Sequence, residues 1–120
     1  MNNADFNKVV DEQLDLCKSL LCKKGEEYDR DTEDRFHSFK VAAALQGETP
    51  MQALAGMLAK HTVSVYDLIK EGSSDLAIWN EKITDHINYL LLLKGLIMDE
   101  TGASESTTIL YADGEEVKKI

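Results

Sequence analysis

Proline occurs once in the 120 residues, at Pro50, directly after Thr49. A proline has no N–H to donate and its fixed φ suits the first helical position, so Thr49-Pro50 predicts a helix start with Thr49 as N-cap. No proline interrupts the other periodic segments. From Asp5 to about Tyr28, Phe6, Val10, Leu14, Cys17, Leu20 and Leu21 recur at three- and four-residue steps, the period of a helix with one apolar side. The stretch YDRDTEDRF loses that period and offers Asp31 or Thr32 as N-cap of a second, shorter helix through Phe36, Phe39 and Ala43, ending near Gln46-Gly47. The third helix carries Met51, Leu54, Leu58, Val65 and Leu68 and stops at EGSS. A fourth runs from Ser74 or Asp75 to Glu100, where Thr101-Gly102 stops it.

The expected fold is therefore all-α: a bundle of four principal helices in 1–102, with a C-terminal appendage in 103–120. TTILY and Asp113-Gly114 suggest a short hairpin there, and a lone hairpin must dock or fray. With 43% hydrophobic and 29% charged residues the chain suits one compact domain. The net charge of -9 argues against nucleic acid as a direct partner, because phosphate tracking rests on clustered Lys and Arg. An acidic protein handles a phosphorylated small molecule when a divalent cation stands between carboxylates and phosphates. MNNADFNKVV lacks the basic start and apolar core of a signal peptide, and no apolar run approaches the ~20 residues that span a bilayer, so a cytoplasmic protein without membrane attachment is expected. Cys17 and Cys22 point to different sides of one helix and are expected to be reduced.

The polar groups of interest lie in WNEKITDHINYLLLL, Trp79 to Leu93. At about 100° per residue, Leu76, Ile83, Ile87, Leu90 and Leu91 share one stripe while Glu81, Asp85 and Asn88 share the roughly opposite face. A wet face is the plain account of those three. Leu92 falls on the same side one turn beyond Asn88, however, and from Tyr89 to Leu93 the helix is apolar all round, which implies cover on every side. The carboxylates then stand at the mouth of a covered region. On the first helix Glu27 lies at the edge of the apolar stripe, with Asp31 one turn on. Two helices that present carboxylates inward can build a divalent-metal site, and hard oxygens without cysteine favour Mg²⁺ or Mn²⁺.

Among the other candidates, His37, between Phe36 and Phe39, is placed to touch a base or phosphate. Lys40, Arg35 and Lys60 could supply positive charge to a triphosphate, although a Lys60–Asp67 surface flank is the plainer account of Lys60. His61, near the centre of the third helix's stripe, reads first as a core histidine. His86 lies away from the carboxylate face, and Trp79 reads as packing. P-loop, dinucleotide-binding, zinc-protease and serine-hydrolase motifs are absent.

The segments KKGEEY, DRFHSFKVAAALQGETPMQALAGMLAKHTVSVYD and WNEKITDHINYLLLLKGLI resemble small phage and prophage proteins related to the MazG-like all-α NTP pyrophosphohydrolases, over roughly Lys23 to Ile97. The resemblance implies a helical homodimer or homotetramer that uses Mg²⁺ to cleave a nucleoside triphosphate to monophosphate and pyrophosphate. It implies Glu27 as the first-helix acid and Glu81 with Asp85 as the pair on the last helix, these three serving as metal ligands and catalytic groups. His37, Lys40, Lys60 and Asn88 are then the substrate-contacting residues. Two departures stand out. Glu81 to Asp85 is one residue longer than the usual E-x-x-D, and EEYD is followed by Arg30 where the usual first motif has a third acid, so Asp29, Asp31 or Asp34 must replace that ligand. A non-catalytic helical module that sequesters a nucleotide or blocks a host protein is the alternative.

Overall fold

The computed structural model describes residues 1–28 and 34–102, with side chains through residue 23 in the first of these segments. Four helices make an all-α bundle: α1 (Asn3–Tyr28), α2 (His37–Gln46), α3 (Pro50–Glu71) and α4 (Leu76–Thr101), with no strand among the described residues. α4 is central. It packs against α3 and α1, while α2 packs on α3. The expected C-terminal hairpin falls outside the described residues.

Local chemistry sets the helix ends. Thr49 Oγ1 accepts the Gln52 N–H at 3.1 Å and Gln52 Oε1 accepts the Thr49 N–H at 2.9 Å, so two donors at the start of α3 are satisfied reciprocally before Pro50 begins the helix. The Asp75 carboxylate accepts the N–H groups of Ala77 and Ile78 and starts α4. Gly72 and Gly102, at φ 67° and 70°, end α3 and α4 in the left-handed conformation that a side chain makes costly.

The second helix begins later than expected. A turn precedes it, in which Asp34 Oδ1 accepts the Phe36 N–H at 2.9 Å and the Asp34 carbonyl accepts the His37 N–H at 3.1 Å. Asp34 therefore shapes the start; Asp31 and Thr32, the expected caps, lie outside the described residues.

The orientation of α4 corrects a second expectation. Its buried residues are Thr84, Asn88 and Leu96, while Leu76, Ile83, Leu90 and Leu91 of the apolar stripe are exposed. The Thr84–Asn88 side of the helix turns inward, with Asp85 half-buried and Glu81 exposed, and it meets polar partners there: Gln13 Nε2 on α1 donates to Thr84 Oγ1 at 2.8 Å, and His61 on α3 stands beside Asp85. A buried hydroxyl that is hydrogen-bonded escapes most of its desolvation cost. The buried apolar residues are Cys17, Ala43, Ala53, Leu54, Leu68 and Leu96. Cys17 is buried and Cys22 exposed, both as free thiols. Trp79 is half-buried and donates its indole N–H to the Ser73 carbonyl at 2.8 Å, closing the α3–α4 turn. Further along α4, a Cβ on Gly95 would stand 3.0 Å from Phe36 Cζ, so the missing side chain lets that ring lie against the helix.

Candidate functional site

Asp85 stands on the walls of two clefts. The first, about 330 Å³, lies where α2, α3 and α4 converge and is lined by Phe39, Ala42, Ala53, Met57, Tyr89 and Leu92 together with Leu21 of α1. Its polar members are Arg35, Ser38, Gln46, Asp85 and Asn88. The second cleft, about 350 Å³, opens between α1 and α4 and is lined by Leu16, Leu20, Asn80, Glu81, Thr84 and Asp85. One turn of α4 thus carries Glu81 into one cleft and the next carries Asn88 into the other.

Asn88 is the polar group most at odds with its surroundings. The residue is 8% exposed, and its buried Oδ1 has no hydrogen-bond partner among the described residues. A buried acceptor left unpaired costs about 1–3 kcal/mol, and nearly all such groups in folded proteins are satisfied. Asn88 is also one of the residues that line the first cleft.

An aromatic row flanks Asp85. The His61 ring lies 4.6 Å from that of Tyr89, tilted by 32°, and Tyr89 meets Phe39 edge-on at 6.4 Å. His61 Nδ1 is 4.0 Å from Asp85 Oδ2. Burial holds the His61 pKa below that of an ordinary histidine, and the Asp85 charge only partly opposes it, so the neutral ring is favoured. His61 is thus both a packed residue and the neighbour of a cleft carboxylate. His86 also has a partner, since its Nε2 lies 3.3 Å from Thr62 Oγ1.

The remaining expected site residues are dispersed. Lys40 Nζ reaches Asp34 Oδ2 at 2.6 Å and Asp99 Oδ2 at 3.3 Å. Asp99 lies about 21 Å along α4 from Asp85 at about 1.5 Å per residue, so Lys40 ties the start of α2 to the far end of α4. Arg35, not Lys40, is the α2-side cation that lines the first cleft. His37 and Lys60 are exposed and line neither cleft. Glu27 sits in the last turn of α1, its side chain outside the described residues, as are Asp29 and Asp31. Asp34 is held by Lys40, which together with the Phe36 N–H keeps its carboxyl below the usual carboxylate range. It is therefore occupied away from the clefts.

Thr84, Gln13, Tyr89, Gln46 and Ser38 were not singled out in the sequence. Thr84 carried a signal: it shares the inward face of α4 with Asn88, one turn before it. Among the described residues, no three or more His, Cys, Asp or Glu side chains are gathered as a metal cluster, and no helix is long and apolar enough to cross a membrane. The fold and its clefts define a four-helix protein with an acid- and amide-lined pocket. No family model, curated protein or solved structure matches the chain.

Proposed function

We propose that this chain is a Mg²⁺-dependent nucleoside triphosphate pyrophosphohydrolase, a cytoplasmic enzyme of phage nucleotide metabolism, acting as a homodimer or homotetramer on a common or modified nucleotide. The observation that carries this reading is the position of Asp85 between two clefts, with Glu81 one turn back in one and Asn88 one turn ahead in the other.

The carboxylates fit the proposed ion. Glu81 is exposed and Asp85 half-buried on one cleft wall, and Mg²⁺ commonly keeps several waters while binding through few carboxylates and substrate phosphates. Glu81 and Asp85 would hold it, with Glu27 from α1 as the third ligand. When bound, such an ion neutralises phosphate charge and activates water for attack on phosphorus. The protein's own residues supply position: His61 flanks Asp85, Asn88 orients the substrate, and Arg35 brings positive charge to the first cleft. Lys60 and His37 would approach the substrate from the exposed faces of α3 and α2.

Pyrophosphate release across the common NTPs and dNTPs, with Mg²⁺ or Mn²⁺, tests the reading. Glu81→Gln and Asp85→Asn are expected to lose turnover while remaining folded; unchanged turnover in both would sink the metal assignment. The second reading, a non-catalytic nucleotide-sequestering module, is favoured by the mostly apolar lining of the first cleft and by the commitment of Lys40 to Asp34 and Asp99. Tight nucleotide binding without turnover would select it.

A further inference from the structure

We propose that the first cleft, where α2, α3 and α4 converge, is a nucleobase pocket, entered by a base edge that donates an N–H to Asn88 Oδ1. The inference deepens the nucleotide reading above and rests on it.

Three observations converge. First, Asn88 is more than nine-tenths buried, its Oδ1 has no partner among the described residues, and the residue is part of the lining of this cleft. An acceptor in that state is complementary to a donor brought by a ligand. Second, the polar groups at Asn88 favour one end of a nucleotide over the other. A phosphate brought to Asn88 would face its carbonyl oxygen and the Asp85 carboxylate, both of which repel it, with Arg35 as the cation elsewhere on the lining, whereas a neutral ring with an N–H edge meets an acceptor. The carboxamide carries acceptor and donor side by side, which matches the adjacent donor and acceptor that every base presents. Third, the lining suits a flat ring. Tyr89 and Phe39 offer aromatic surface, and Ala42 and Ala53 leave space opposite. At about 330 Å³ the cleft is near the lower end of the range of roughly 300–1,000 Å³ common for small-molecule pockets, a size for a base with its sugar and not for an extended chain. Asp85 then marks the border: base on the Asn88 side, phosphates toward Glu81.

The test is titration calorimetry of the metal-free full chain with uridine, thymidine, cytidine, adenosine and guanosine. Each is paired with the analogue whose base N–H groups are replaced by N-methyl. The expected result is that at least one nucleoside binds and its methylated partner binds at least tenfold more weakly. Asn88→Leu, of similar size, should lose the same nucleoside at least tenfold while its melting temperature holds or rises. Ala42→Leu, which fills the cleft from α2, should lose it as well. Absence of binding by every nucleoside, equal binding of the methylated partner, or undiminished binding by Asn88→Leu would each overturn the proposal. If Asn88→Leu does not fold, the methylated pairs and Ala42→Leu decide. The two readings fail separately. Nucleoside binding of this pattern without pyrophosphate release leaves the pocket standing and removes the hydrolase. Pyrophosphate release in which Asn88→Leu and the methylated triphosphates match the wild type does the reverse.

Discussion

Gln13 and Thr84 lie 71 residues apart in sequence and 2.8 Å apart in space, the α1 amide donating to the buried α4 hydroxyl. The same amide nitrogen stands 3.3 Å from Cys17 Sγ, so one side chain of α1 addresses both buried polarisable atoms at the α1–α4 seam. Thr84→Val keeps the shape and removes the acceptor. It is expected to cost about 1 kcal/mol, a fall of about 4 °C in melting temperature. A double-mutant cycle with Gln13→Leu should return a coupling of similar size, and a coupling near zero would remove this bond from the account of the seam.

Gly95 faces Phe36 so closely that a methyl there would meet Cζ at 3.0 Å. Alanine gains about 1 kcal/mol of helix propensity over glycine, while overpacking commonly costs about 1–3 kcal/mol. Gly95→Ala should therefore lower stability modestly and Gly95→Leu severely, read by chemical denaturation. Gly95→Ala combined with Phe36→Leu should recover much of the loss.

The Lys40 bridge to Asp34 and Asp99 makes a pH prediction. The Asp34 bond raises the Lys40 pKa above 10.5, and the Lys40 bond lowers that of Asp34 below 3.8. A lowered carboxylate contributes stability that is present above the unfolded value and lost as pH falls through the folded one. A raised lysine contributes stability that is present below its unfolded value and lost as pH rises through the folded one. The stability difference between wild type and Lys40→Met should thus be flat from about pH 4 to 10 and close at both extremes. It should be small and shrink with salt, because these groups are exposed.

The outward face of α4 predicts association. Ile83, Leu90, Leu91 and Ile97 are exposed, and at about 100° per residue their face carries Lys94 but no carboxylate, in a chain of net charge -9. Two acidic copies repel least where they bring no acid together. Leu90→Glu with Leu91→Glu should convert a dimer to a helical monomer in sedimentation and circular dichroism. A wild-type chain that sediments as a monomer would remove this interface.

Where a residue acts on its own neighbours, its role was legible in the sequence. Thr49, Pro50, Asp75 and Gly102 set helix ends through bonds within a few residues, and all four stand where the sequence put them. The start of α2 was harder: Asp31 and Thr32 were the expected caps, and the helix begins at His37 after a turn held by the bond from Phe36 N–H to Asp34. The orientation of α4 was not legible. A helical wheel separates Ile83 and Leu90 from Thr84 and Asn88, but which side is covered depends on Gln13 and His61, residues on other helices. Glu81, Asp85 and Asn88 were picked out because they interrupt an apolar run. The division of Asp85 between two clefts needed the placement of α1 and α3.

That shared wall carries a thermodynamic obligation. An occupant of one cleft that changes the charge or rotamer of Asp85 alters affinity in the other by some factor, and the second occupant must return the same factor to the first. Cation affinity measured with and without a nucleoside, and nucleoside affinity measured with and without the cation, therefore close a single cycle through one carboxylate.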